Sequence, residues 1–245
     1  MKLIAHRGAC GYFPENTMAS FKAAIDLGAA STEFDVQQTK DGELAVIHDL
    51  DLRRYDGSKA KVGELTYEEL AKRDLGSWFS PRFRGARAPR LKEVLDLLLR
   101  RRLELHVEIK QADVPYEGIE KRVLAALAAK PTGKALCVVS SADHPTLHRL
   151  RKLDPQVRLG YLASHTPMEE ALAEAAELAC ESVHISGRVF SEAWARGAHA
   201  KGMKLFVYTI NDRSDAERLE ARKADGIFSD FPDMLRPADR VGGSA

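Results

Sequence analysis

Short apolar or alternating runs recur between helix-patterned segments along this chain, and that alternation limits the folds open to it. The runs cover residues 2–6, 32–36, 103–109, 135–139, 157–161, 182–185, 204–209 and 226–228. Helix-patterned stretches lie between and after them at 17–27, 91–101, 117–129, 145–153, 167–179, 192–201 and 213–222, with a short one at 232–235. Several open on Thr, Ser or Pro and close on Gly or a basic residue, as helix ends do. Parallel strands need a crossover, and helices must cover the outer face of the sheet they build. Eight such units predict an α/β protein with a TIM-type (β/α)8 barrel.

The length of 245 residues suits one such barrel, and 44% apolar with 30% charged residues is a balance that can bury a large core. Residues 1–236 are expected to form a single catalytic domain and 237–245, rich in Gly and polar residues, a flexible tail. The longest strongly apolar run, at 94–99, falls far short of the ~20 residues of a bilayer span, so no integral membrane association is expected. With 37 Lys and Arg against 36 Asp and Glu, the chain lacks the basic excess of a nucleic-acid binder. A small-molecule substrate is the expected partner, and the oligomeric state stays open. Cys10, Cys137 and Cys180 lie far apart and form no CxxC pair, which argues against a disulfide framework and a cysteine-ligated zinc. A reducing compartment follows, and with no signal-peptide core at the start the reading is cytoplasmic.

Two departures from strict alternation carry information. Asp41-Gly42 is a tight-hairpin pair after the 32–36 run, and 44–47 returns as a strand. With Asp41 and Gly42 as the two turn residues, Lys40 faces Glu43, and the register brings His48 opposite Asp35. The stretch 50–90 is too long for a simple connection, holds one helical piece at 66–73, and reads as a cap-like insertion after the hairpin.

Catalytic groups of a barrel project from the C-terminal strand ends, and those ends are unusually polar here. His6 and Arg7 close one strand, Glu33 and Asp35 the next, His48 and Asp49 the hairpin return, and Glu108 and Lys110 the run over 103–109. In that last run Leu103, Leu105, Val107 and Ile109 share the outward face, so Glu104, His106, Glu108 and Lys110 point inward. Buried ionisable groups are expensive unless they pair with each other, a metal or a substrate. Glu33, Asp35 and Glu108 are hard oxygen donors suited to one divalent cation, Mg²⁺ or Ca²⁺. The two histidines could serve as general acid and base near neutral pH. Arg7 and Lys110 add fixed positive charge for a phosphate whose negative charge grows in the transition state. The residues alone therefore point to a metal-assisted phosphoester hydrolase.

The segment IAHRG followed by PENT, then EFDVQQTKDGE, VIHD and VEIK, and later YTIND and ADGIFSDFP, resembles the glycerophosphodiester phosphodiesterase family in order and spacing. That resemblance implies His6 and His48 as the acid/base pair and Glu33, Asp35 and Glu108 as metal ligands. It implies Arg7 and Lys110 as phosphate contacts, with Glu15 shaping or ligating the site and Tyr208 standing where the family usually has Trp. The implied reaction begins with attack of a glycerol hydroxyl on phosphorus to give a cyclic phosphate. Water then opens that ring, so that the products are sn-glycerol 3-phosphate and an alcohol. A related phospholipase D-like barrel acting on lyso-phospholipids is the alternative. Arg54-Tyr55-Asp56 and Pro89-Arg90-Leu91 depart from the family's usual Arg-Thr-Thr and Pro-Thr-Leu, which makes Tyr55, Trp78 and Tyr208 candidates for the alcohol side. Trp78 is read foremost as packing within the insertion, Cys10 as a small buried hydrophobe, and His184 and Ser186 as candidate substrate contacts. The arginines between 82 and 102 read as a solvated basic face.

Overall fold

In the computed structural model, which describes residues 1–111 and 115–235, eight parallel strands close into a barrel. They are β1 (Lys2–Ala5), β2 (Ser31–Gln38), β4 (Glu104–Ile109), β5 (Cys137–Ser141), β6 (Leu159–Leu162), β7 (Ser182–Ser186), β8 (Lys204–Tyr208) and β9 (Gly226–Ser229). β3 (Leu44–Val46) is the hairpin return, antiparallel to β2 and outside the ring. Closure comes from β1, which pairs with β9 from Lys2↔Gly226 to Ala5↔Ser229 and with β2 at Ala5↔Thr32. The proposed tail at 237–245 lies outside the described residues.

The helices form because each offers one apolar stripe to the barrel. In Leu91–Arg100 the residues Leu91, Val94, Leu95, Leu98 and Leu99 are buried while Lys92, Glu93 and Asp96 stay on the far side. Starts follow the expected chemistry: Thr17 caps Met18–Asp26 by accepting from Ser20 N, and Asp143 caps His144–Leu153 by accepting from Thr146 N. The outward residues of the strands, Phe34, Val36, Leu105, Val107, Ile109, Val139, Leu159, Val183, Leu205, Val207 and Ile227 among them, pack under these stripes as the main core. Residues 232–235 make turns instead of the expected short helix, and 133–136 are a helical turn where a strand start was expected.

Inward residues fill the barrel. Ile4, Phe206 and Phe228 surround the fully buried His106 and the 1% exposed His184, with ring centroids 5.1–5.6 Å apart for each histidine–phenylalanine pair. Burial holds both imidazoles below their ordinary range, so they act as neutral wedges. At the opposite end from the site, Glu104 pairs with Lys2, which answers the cost of that inward carboxylate.

The hairpin register differs from expectation by one residue. Val36 pairs with Val46 and Gln38 with Leu44, so Asp35 stands opposite Ile47, whose N–H donates to Asp35 O at 3.0 Å. The reason is the turn: Thr39 N donates to Glu43 O, enclosing three residues rather than two, with Gly42 at φ 82°. Asp41 is drawn away from a two-residue turn because its carboxylate accepts from Thr39 Oγ1 and Tyr67 N.

The insertion after β3 has its own small core. Leu52, Tyr55, Val62, Tyr67, Leu70, Leu75 and Ala88 pack against Ala45 and Ile47 of the hairpin arm, with Trp78 at the edge. This seats it over one side of the barrel mouth.

Candidate active site

The loop after β1 sets the geometry. Arg7 (φ 51°) and Gly8 (φ 82°) turn the chain left-handed directly after the strand. A Cβ on Gly8 would lie 2.5 Å from Ser20 Oγ and 2.7 Å from Ser20 C, so only glycine lets the loop close on the following helix. The loop returns at Asn16, whose N–H donates to Arg7 O, and this places Glu15 and Asn16 beneath the arginine.

Three carboxylates converge. Glu33, Asp35 and Glu108 are buried, with one oxygen from each lying within 4.8 Å of the others. β2 and β4 pair Asp35↔Glu108 and Glu33↔His106, so neighbouring inward positions supply all three groups. Burial first, and then the charge of Asp35, drives the Glu33 carboxyl well above its ordinary range. Asp35 is held low despite its burial, by Lys110, Arg7, His48 and the Asn16 amide, which donates to Oδ2 at 2.8 Å. Lys110 Nζ lies 2.6 Å from Glu108 Oε1 and 3.3 Å from Asp35 Oδ1. Arg7 donates from its backbone to Glu33 and from Nη1 to both Glu15 oxygens at 3.1 Å, while its buried Nε lies 3.3 Å from Asp35 Oδ2 and makes no hydrogen bond among the described residues. One carboxyl forced toward neutrality among hard oxygen donors is what a divalent cation would relieve, so the donor set fits Mg²⁺ or Ca²⁺.

Each histidine is gripped by an aspartate on its Nδ1. His6 Nδ1 lies 2.7 Å from Asp230 Oδ1, and His48 Nδ1 lies 2.7 Å from Asp49 Oδ1. A carboxylate can only accept, so each ring carries its hydrogen on Nδ1 and offers Nε2 for proton transfer. Asp230 is partly buried, yet the hydrogen bonds from His6 and Cys10 hold it down at about 2.

A cavity of ≈ 210 Å³ joins these groups. His6, Arg7, Glu33, His48, Glu108 and Lys110 line one side, and Leu162, Tyr208 and Phe228 line the other, together with Ser140 and Ser164. His184 reaches it from below, whereas Ser186 lies outside. Asp35 sits behind the carboxylate pair that faces the cavity. Glu15 does not line it: its oxygens are taken by Arg7 and by Arg54 Nη2 at 2.6 Å. Of the three aromatics assigned to the alcohol side, only Tyr208 lines the cavity. Tyr55 is buried in the insertion, and Trp78 packs there too, with its Nε1 donating to Leu75 O.

Sequence reasoning did not assign roles to Asp49, Asp230, Asn16 or Arg54. The Asp directly after His48 was a legible signal. Asp230 was not, because it is 224 positions from the ring it orients. Cys10 departs from the small-hydrophobe expectation, since it is only half-buried and its thiol donates to Asp230 Oδ1 at 2.9 Å. Burial and Asp230 push that thiol up, which favours its neutral form.

Two oriented imidazoles, a hard-oxygen cation set and two fixed positive charges at the C-terminal mouth of a barrel define a phosphodiester hydrolase. The chain matches the glycerophosphoryl diester phosphodiesterase family over residues 6–234, and it belongs to that family. It is 35% identical over 241 residues to the glycerophosphodiester phosphodiesterase of Caldanaerobacter subterraneus subsp. tengcongensis, covering 98% of each chain. A phosphodiesterase of Oleispira antarctica, solved in complex with the product sn-glycerol-3-phosphate, superposes with a TM-score of 0.85 at 29% identity, over 96% of this chain and 95% of that one. The lysophospholipase D of Rattus norvegicus is 24% identical over 264 residues, 95% of this chain and 84% of its own.

Proposed function

We propose that the cavity cleaves glycerophosphodiesters to sn-glycerol 3-phosphate and an alcohol by metal-dependent two-histidine catalysis. The observation that carries this reading is the pair of aspartate-oriented imidazoles, His6 and His48, opening on one cavity beside three buried carboxylates. The product bound to the Oleispira antarctica relative supports the choice of substrate. Glu33, Asp35 and Glu108 would hold one divalent cation, Mg²⁺ or Ca²⁺, which neutralises charge on the phosphoryl oxygens when bound. Arg7 and Lys110 supply fixed positive charge to the same phosphate, and Glu15 braces Arg7 from behind. One histidine takes the proton of the attacking glycerol hydroxyl through Nε2, and the other protonates the departing alcohol. They exchange roles when water opens the cyclic phosphate. Tyr208 flanks the organic end of the substrate.

Residues 1–236 act in this reading as one catalytic unit, with 50–90 as its cap. No described helix is long and apolar enough to cross a membrane. The three free cysteines fit a reducing, cytoplasmic setting. The deciding experiment measures sn-glycerol 3-phosphate release from a panel of glycerophosphodiesters with Mg²⁺, Ca²⁺ or chelator, and includes a lyso-phospholipid. Release from the small diesters with metal alone is the expected result. Full activity in chelator removes the metal role, and turnover of the lyso-phospholipid alone replaces the substrate assignment.

A further inference from the structure

His6 is bordered on its Nδ1 side by groups that hydrolysis uses only in part. Cys10 Sγ lies 2.9 Å from Asp230 Oδ1 and 3.9 Å from His6 Nδ1, and Asp230 Oδ1 lies 2.7 Å from that nitrogen. One sulfur, one imidazole nitrogen and one carboxylate oxygen therefore fall within 4.8 Å of one another. The three-carboxylate group approaches the same ring from the other edge, with Glu33 Oε2 4.0 Å from Nε2. We infer that His6, Cys10 and Asp230 form a second cation site, which takes a thiophilic divalent ion such as Zn²⁺ and thereby switches hydrolysis off.

The donor chemistry separates the two sites. Glu33, Asp35 and Glu108 present only hard oxygens, whereas a thiolate with an imidazole favours Zn²⁺ over Mg²⁺ or Ca²⁺. Tetrahedral Zn²⁺ at ~2.3 Å from sulfur and ~2.0–2.1 Å from nitrogen and oxygen needs donor separations of roughly 3.4–3.6 Å. The observed 2.7, 2.9 and 3.9 Å bracket that range, so replacing the bridging hydrogens by an ion moves each donor by less than about 1 Å. Asp230 is already braced to act as a ligand, because Asn211 Nδ2 donates to its Oδ2 at 2.6 Å and Asn211 Oδ1 accepts from its backbone N–H at 2.9 Å, which leaves Oδ1 for the ion. Cys10 is half-buried, so the ion can enter from solvent and keep water as its fourth ligand.

Binding displaces two hydrogens. The Cys10 thiol proton leaves to solvent, and the hydrogen on His6 Nδ1 is lost from that atom while Nε2 gains one from solvent, a net release of one proton per ion. The resulting ring carries metal on one nitrogen and hydrogen on the other. It has no lone pair with which to act as a base, and it cannot form the imidazolium that an acid role requires. The inhibition half of the inference rests on the catalytic reading of His6; the binding half does not.

The test titrates Zn²⁺ into the full chain saturated with Mg²⁺, follows turnover, and repeats the titration with Co²⁺ as an absorbing substitute. Turnover should fall ~10²-fold or more as the site fills, the scale of losing one acid/base group. Co²⁺ should raise a thiolate-to-metal charge-transfer band in the near ultraviolet. Cys10→Ser should keep parental turnover and lose both responses, Cys10→Ala should do the same, and Cys137→Ser should keep both. Zn²⁺ inhibition undiminished in Cys10→Ser and Cys10→Ala, or no thiolate band in the parent, overturns the site. A band that depends on Cys10 without inhibition overturns the switch. Because the band is read without substrate, a chain that failed to hydrolyse any diester would still decide the binding half.

Discussion

At the residue scale, the two histidines differ in how their aspartates are held, and this makes them separable. Asp230 is fixed by Asn211 across the barrel end, whereas Asp49 is fixed by Arg54 from the insertion at 2.7 Å. His6→Ala and His48→Ala should each lower kcat by ~10² to 10⁴-fold, and the double variant should be scarcely worse than either alone, because the groups act as a unit. A nitrophenyl phosphodiester, whose leaving group needs little protonation, should rescue only the variant lacking the acid. Steady-state kinetics on both substrates check this, and near-parental turnover of either single variant on every diester overturns the pair. The carboxylates give a second prediction. Glu33→Ala and Glu108→Ala should fold, by circular dichroism, yet bind Mg²⁺ or Ca²⁺ far more weakly in calorimetric titration, since each removes one of three oxygen donors. Parental affinity in both would move the cation elsewhere.

At the element scale, the insertion contains a turn held by one carboxylate. This turn, at 74–77, hangs on Asp74, whose carboxylate accepts from the N–H of Gly76 and Ser77 and from Ser77 Oγ at 2.6 Å. The Ser77 hydroxyl is the chief cause that holds Asp74 down at about 2, against an ordinary value of 3.8. A depressed carboxylate stabilises the folded turn fully above about 3.8, and that contribution is lost as pH falls toward about 2. Protection of the Gly76 and Ser77 amides, taken relative to the intrinsic exchange rate at each pH, should therefore fall across that window. In Asp74→Ala, which removes the acceptor, protection should already be low at pH 6 and should not fall further with acid. Unchanged protection in the variant would show that the turn stands without the carboxylate. The helix Leu91–Arg100 offers the contrasting case: Leu98 is fully buried under the barrel core, so Leu98→Ala should cost about 2–5 kcal/mol in denaturant unfolding and leave KM unchanged.

At the scale of the whole molecule, the closed barrel forces three carboxylates together inside a low-dielectric end, so a cation held there would link its binding to folding. Saturating Mg²⁺ or Ca²⁺ should raise Tm, by an amount equivalent to about 2.7 kcal/mol at a hundredfold excess over Kd, and chelator should reverse it. Glu33→Gln replaces the carboxyl that burial and Asp35 force toward neutrality, and it should make the cation-free protein more stable while shrinking the cation's effect. A Tm indifferent to all cations in scanning calorimetry would break the linkage.

Much of this was written locally. The alternation of runs predicts the barrel because strand and helix periods are properties of neighbouring residues, and the inward polar face of 104–110 is legible because Cβ atoms alternate along any strand. The positions of the three carboxylates and both histidines were likewise readable, since Glu33, Asp35 and Glu108 share the inward face of their strands and His6 and His48 close theirs. Tertiary structure decided what neighbours in sequence cannot: that Asp230 orients His6, that Arg54 claims Glu15, and that Cys10 faces both His6 and Asp230. It also decided the hairpin register, because Asp41 found its partners partly in Tyr67, beyond the turn itself. The division is physical. Periodicity and strand ends are set by covalent geometry within a few residues, whereas the hydrogen a ring nitrogen carries is set by whichever carboxylate the closed barrel brings within 3 Å of it.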